Sequence, residues 1–168
     1  MIMWSATPAD VELVTRLLGR SPEGPFRVVV RRDGRDPVVI ENAPHLLDGT
    51  PMPTLYWLLD PPLRDAVSRV EAAGGVKRIQ EMVDPDLVAA AHDTYRRRRE
   101  SLVERHDLPQ PSGGVGGTRR GLKCLHAHVA YFLAGGDDEV GRVVANEVKE
   151  ALLGVAPVND LPVSGSTP

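Results

Sequence analysis

Phe26-Arg27-Val28-Val29-Val30-Arg31, then Asp33-Gly34, then Val38-Val39-Ile40 is the stretch on which the architecture turns. β-Branched residues suit a pleated backbone because their χ1 is already restricted, and Asp-Gly supplies the left-handed pair that a tight hairpin needs. Two antiparallel strands joined at Asp33-Gly34 are the simplest reading. Beyond them, Asp48-Gly49-Thr50-Pro51-Met52-Pro53 forms a stiff turn that delivers a third strand, Thr54 to Leu59, apolar on both faces. That strand is expected to be central and covered rather than an edge.

Helical signals surround this β segment. Upstream, Thr7-Pro8-Ala9-Asp10 combines a capping Thr, a Pro at the first helical position and an acid in the first turn, and Val11, Val14, Leu17 and Leu18 follow at helical spacing to Gly19. Downstream, Leu63, Val67 and Val70 predict a helix ending at Gly74-Gly75, with a short helical stretch from Val76 to Val83. Asp84-Pro85 opens a long helix to about His106. After a loop rich in Gly and Pro, Pro109 to Gly117, a helix is expected from Arg119 to Ala134. Asp137-Asp138-Glu139 then opens a last one to about Leu153. Strands first and helices after predict an α+β domain, a small antiparallel sheet of about three strands packed against several helices. Residues 1–153 are expected to form that single domain. Residues 154–168, poor in large apolar side chains, are expected to be a flexible tail.

Composition narrows the function classes. The chain has 168 residues, 20 Lys and Arg against 23 Asp and Glu, and a formal charge of −3, with 4% aromatic residues. Neither the charge nor the aromatics suit a nucleic-acid surface, so nucleic acid is not an expected partner. The single Cys124 rules out an intramolecular disulfide and an all-cysteine zinc site within one chain. Met1-Ile2-Met3-Trp4 is too short for a signal-peptide core, and apolar runs such as Leu55 to Leu59 fall far below the ~20 residues that span a bilayer. A cytoplasmic location without membrane contact is expected.

The chemistry concentrates between Gly113 and His128. A glycine-rich loop entering a helix presents backbone N–H groups to an anion, and Arg119, Arg120 and Lys123 add positive potential; Gly116, Gly117 and these three are the expected anion contacts. Neither the P-loop nor the dinucleotide fingerprint fits the glycine spacing, and a solvated interhelical loop is the alternative. Overlapping it, Cys124, His126 and His128 form a C-x-H-x-H group of metal-ligand types. On a helix at about 100° per residue, Cys124 and His128 share a face about 40° apart while His126 points away. A site then uses Cys124 with His128, or His126 alone, plus ligands from elsewhere; a buried structural Cys with two flanking His is the alternative. Lys123 and Arg120 near Cys124 would lower its thiol pKa, but Ala130 stands where a cysteine-phosphatase loop carries Arg. His92, beside Tyr95 on the long helix, and His126 are the acid/base candidates.

Three segments carry a family resemblance: Asp48-Gly49-Thr50-Pro51-Met52-Pro53-Thr54-Leu55-Tyr56-Trp57-Leu58, Ala91-His92-Asp93-Thr94-Tyr95 and Lys123-Cys124-Leu125-His126. They resemble DUF501, a family of unknown function found mainly in actinobacteria, over residues 11–150. The resemblance implies no activity. It does imply that relatives carry Cys where this chain has Asp36 and Asp60. Three Cys and a His would there make a structural zinc site, and the ligand set expected here is Asp36, Asp60, Cys124, His126 and His128, for zinc or another divalent metal. The expected function is a metal- or anion-binding module that contacts a protein partner or an anionic small molecule. A small hydrolase or transferase acting on a phosphorylated or anionic substrate is the alternative.

Overall fold

The computed structural model describes residues 4–158, and within them the α+β reading holds: six α-helices and one four-stranded antiparallel sheet. Helix α1 (Pro8–Leu18) begins on a capping box. The Thr7 hydroxyl accepts from the Asp10 N–H at 3.1 Å and the Asp10 carboxylate accepts from the Thr7 N–H at 3.2 Å, while Gly19 closes the helix in the left-handed conformation. β1 (Phe26–Arg32) and β2 (Asp36–Asn42) form the expected hairpin, with Asp33 and Gly34 both at positive φ. β3 is Tyr56–Leu58 and β4 is Val155–Pro157, and the order across the sheet is β3-β2-β1-β4.

Two expectations change here. β3 lies at an edge of the sheet instead of its centre, yet both its faces are covered. Tyr56 and Leu58 join the main core, and Trp57 packs with Leu17 and Leu18 of α1. Apolar residues on both faces report what lies above and below a strand and say nothing about its neighbours in the sheet. The second change is β4. Val155–Pro157 pair with β1, and the Asp33 N–H donates to the Gly154 carbonyl at 2.7 Å, so the chain beyond 153 begins as ordered sheet. Residues 159–168 of the expected tail lie outside the described residues.

The sheet is sandwiched. Phe26, Val28 and Ile40 pack under α1, whereas Val29, Val30, Val38 and Val39 face the helical layer. Register shifts around Val30 let consecutive valines reach the same side, which strict alternation would forbid. The helical layer comprises α2 (Pro61–Ala72), α3 (Gly75–Met82), α4 (Pro85–Ser101), α5 (Leu125–Leu133) and α6 (Glu139–Glu147). Asp60, Asp84 and Asp138 cap α2, α4 and α6 with their carboxylates.

Three helix boundaries depart from expectation. α4 ends at Ser101, not near His106: the Ser101 hydroxyl donates to the Arg98 carbonyl at 2.7 Å and Leu102 turns into the core. α6 ends at Glu147 and gives way to a 3-10 turn, Lys149–Leu152. α5 starts at Leu125 and not at Arg119, because Gly121 sits at φ 61° and Cys124 is extended at φ −148° and ψ 122°. This last shift decides the site.

Candidate metal centre

An extended Cys124 does not obey the helical projection. Its side chain turns toward His126 across the first turn of α5, with Sγ 3.7 Å from His126 Nδ1. Glu71 arrives from the end of α2, and its Oε1 lies 3.2 Å from the same Nδ1. The three ligand atoms all fall within 4.8 Å of one another. Ligands around a tetrahedral zinc, at roughly 2.0–2.1 Å for N and O and about 2.3 Å for S, stand about 3.6 Å apart for an S,N pair and about 3.3 Å for an N,O pair. The observed separations match both values.

The surroundings hold these groups in place. His126 Nε2 lies 3.2 Å from the Arg64 carbonyl and 3.2 Å from the Ser68 hydroxyl. A proton on Nε2, donated to that carbonyl, leaves Nδ1 as the electron-pair donor; metal-ligating histidines are oriented in this way. The Leu125 N–H donates to Glu71 Oε1 at 2.7 Å and fixes the carboxylate. Arg64, Ser68 and Glu71 recur at helical spacing, so one face of α2 supplies the anchor, the hydroxyl and the carboxylate. Without a metal, the bond to Cys124 raises the His126 pKa to about 9; burial opposes it and the Glu71 charge reinforces it.

Cys124 and His126, but not Glu71, form part of the wall of an open cleft of about 500 Å³. Arg64 and Lys123 line this cleft, both exposed, and no carboxylate does. Leu17, Leu18 and Trp57 contribute an apolar part of the same lining.

The other expected site residues lie elsewhere. His128 is buried within α5, with Nδ1 2.7 Å from the Asp138 carboxylate that caps α6, and it does not join Cys124. Asp60 caps α2 and is gripped in a two-pronged pair by Arg32, at 3.0 and 2.7 Å, so its oxygens are engaged. Asp36 is exposed at the start of β2. Neither Asp belongs to the metal-ligand cluster found among the described residues. His92 has both ring nitrogens occupied: Nδ1 accepts the Val115 N–H at 3.0 Å and Nε2 faces the Gly121 carbonyl at 2.8 Å. It pins the glycine loop against α4, and a Cβ on Gly114 would come within 2.4 Å of its ring. The expected anion contacts are split between two faces. Gly116 and Lys123 line the cleft beside Cys124, whereas Arg119 and Arg120 line a separate cavity of about 440 Å³ against α4.

The family model described as a protein of unknown function, DUF501, matches residues 28–146. The chain belongs to DUF501. No curated protein and no solved structure matches it. The matched DUF501 region includes all three members of the cluster, and no helix among the described residues is long and apolar enough to cross a membrane. Within this DUF501 chain Glu71 is the member that sequence reasoning missed. Its one available signal was the polar Arg64, Ser68, Glu71 spacing beside the apolar Leu63, Val67 and Val70 stripe.

Proposed function

We propose that this protein binds one divalent transition-metal ion, zinc fitting the donor set best, through Cys124 Sγ, His126 Nδ1 and Glu71 Oε1. The supporting observation is the convergence of these three atoms, with Cys124 to His126 and His126 to Glu71 both at tetrahedral separations, and with the second nitrogen of His126 held by a backbone carbonyl. Three protein ligands leave a fourth position open toward the cleft. Arg64 and Lys123 are the charged residues of that cleft lining, and with them the position suits a carboxylate or phosphate group. A small anion and an acidic side chain of a partner protein both offer that chemistry.

Elemental analysis of untagged protein tests the centre. Wild type is expected to carry about one ion per chain, and Cys124→Ala and Glu71→Gln little or none. Wild type that stays metal-free after incubation with zinc would sink the reading. For the open position, zinc-loaded protein is titrated with inorganic phosphate and separately with a peptide rich in Asp and Glu; tighter binding by one arm distinguishes a small-molecule ligand from a protein partner.

A second reading follows from the same open position. Structural zinc sites close with four protein ligands, whereas hydrolytic ones keep one place for water and lower its pKa. In a hydrolase acting on a phosphorylated or anionic substrate, His126 would be a metal ligand and not an acid or base. His92, fully engaged with the backbone, would hold the loop.

A further inference from the structure

Arg99 on α4 is 1% exposed and, among the described residues, pairs with no carboxylate. Its Nη1 donates to the Pro53 carbonyl at 2.9 Å and its Nη2 to the Gly113 carbonyl at 2.7 Å, while its buried Nε–H has no acceptor. The guanidinium lies 5.9 Å from the Tyr95 ring centre. Two carbonyls and a ring are a thin substitute for water around a full positive charge. Buried charges are ordinarily paired, because desolvation costs several kcal/mol per ion. Burial accordingly pushes the Arg99 pKa down, against the field of Tyr95 and Glu100.

The residue lines a cleft of about 420 Å³ between α4 and the 111–119 loop. Three cations, Arg96, Arg99 and Arg119, and two carboxylates, Asp93 and Glu100, share its lining. Both carboxylates are already engaged: Arg96 reaches Asp93 at 2.6 Å and Glu100 at 2.8 Å, and Arg97 adds a second bond to Asp93 at 2.6 Å. Among the described residues neither Arg99 nor Arg119 forms an ion pair, and Ser112 joins them on the lining. This cleft lies apart from the metal cluster, and the two linings share no residue.

We propose that the cleft between α4 and the 111–119 loop binds an oxyanion, with Arg99 as the buried charge beneath it and Arg119 and Ser112 as the groups that reach it from the rim. A phosphate-sized oxyanion suits the forked donors of Arg119, and the Arg99 charge, its own donors held by the Pro53 and Gly113 carbonyls, adds attraction from below. The site is independent of the metal centre and of what occupies the fourth metal position.

Thermal melts and calorimetric titration with inorganic phosphate test it, at constant ionic strength balanced with chloride and with a chelator present so that the metal centre is empty. Phosphate is expected to raise the melting temperature where equal chloride does not. Arg119→Ala, at an exposed position, is expected to weaken phosphate about tenfold. The double variant Arg64→Ala with Lys123→Ala, on the other cleft, is expected to leave phosphate affinity unchanged. Phosphate acting no better than chloride overturns the proposal, as does affinity that survives Arg119→Ala. Loss in the Arg64 and Lys123 double variant instead of in Arg119→Ala also overturns it and moves the anion to the metal cleft. Arg99→Gln is measured alongside. Should it fail to fold, Arg119→Ala still decides.

Discussion

Asp10 shows how one carboxylate serves two elements. It closes the capping box of α1 and accepts from Arg31 Nη2 of β1 at 2.8 Å, which ties the helix to the sheet. Burial pushes its carboxyl up, but the Arg31 bond, with the bonds from Thr7, more than reverses this and holds it below the ordinary 3.8. A lowered folded-state pKa contributes stability that is complete above the unfolded value and is lost as pH falls through the folded one. Asp10→Asn is therefore expected to be less stable than wild type at neutral pH, with the gap closing below about pH 4. Urea midpoints measured from pH 7 down to pH 3 check this, and a gap constant across that range would contradict it. At this same scale Cys124 and His126 were legible, because Cys and His at close spacing are rare outside sites. Glu71 was not, since a carboxylate near a helix end reads as a solvated charge until its fold neighbours are known.

For the elements, caps proved more informative than periodicity. Thr7 and Asp84 begin helices where the sequence placed them, because a side-chain oxygen before Pro satisfies an orphan N–H by local geometry alone. The start of α5 was misplaced, because the apolar stripe from Leu125 onward was extended back across Gly121, whose left-handed conformation ends any such continuation. That error carried the rotational argument with it and set His126 apart from Cys124. The loop before α5 is shaped by α4, through His92. His92→Ala strands the buried Val115 N–H, and Gly114→Ala drives a Cβ into the His92 ring. Each is expected to cost about 1–3 kcal/mol, an unsatisfied donor in the first case and overpacking in the second. Chemical denaturation should show both midpoints falling with little change in slope, while zinc stoichiometry is retained. Loss of zinc in His92→Ala would mean that the latch also shapes the metal centre.

Across the whole molecule the three proposed ligands couple parts of the chain far apart in sequence. Glu71 closes α2, whereas Cys124 and His126 open α5, with α3, α4 and the glycine loop between them. An ion held by all three clamps the helical layer in its folded arrangement and has no such site in the unfolded chain. Its binding free energy is thereby added to folding. With free zinc a hundredfold above its dissociation constant, that contribution is about 2.7 kcal/mol. For a chain of this length it corresponds to a rise of roughly 5–10 °C in melting temperature. Chelation should reverse the rise, and Cys124→Ala, Glu71→Gln and His126→Ala should each remove it while melting near the metal-free wild type. The Glu71 variant is the sharpest of the three, since Gln keeps the shape and one oxygen but not the charge. A zinc-dependent rise that persists in all three variants would place the ion elsewhere. A rise lost only with Cys124→Ala would describe a thiol binding zinc alone, without the clamp that joins α2 to α5.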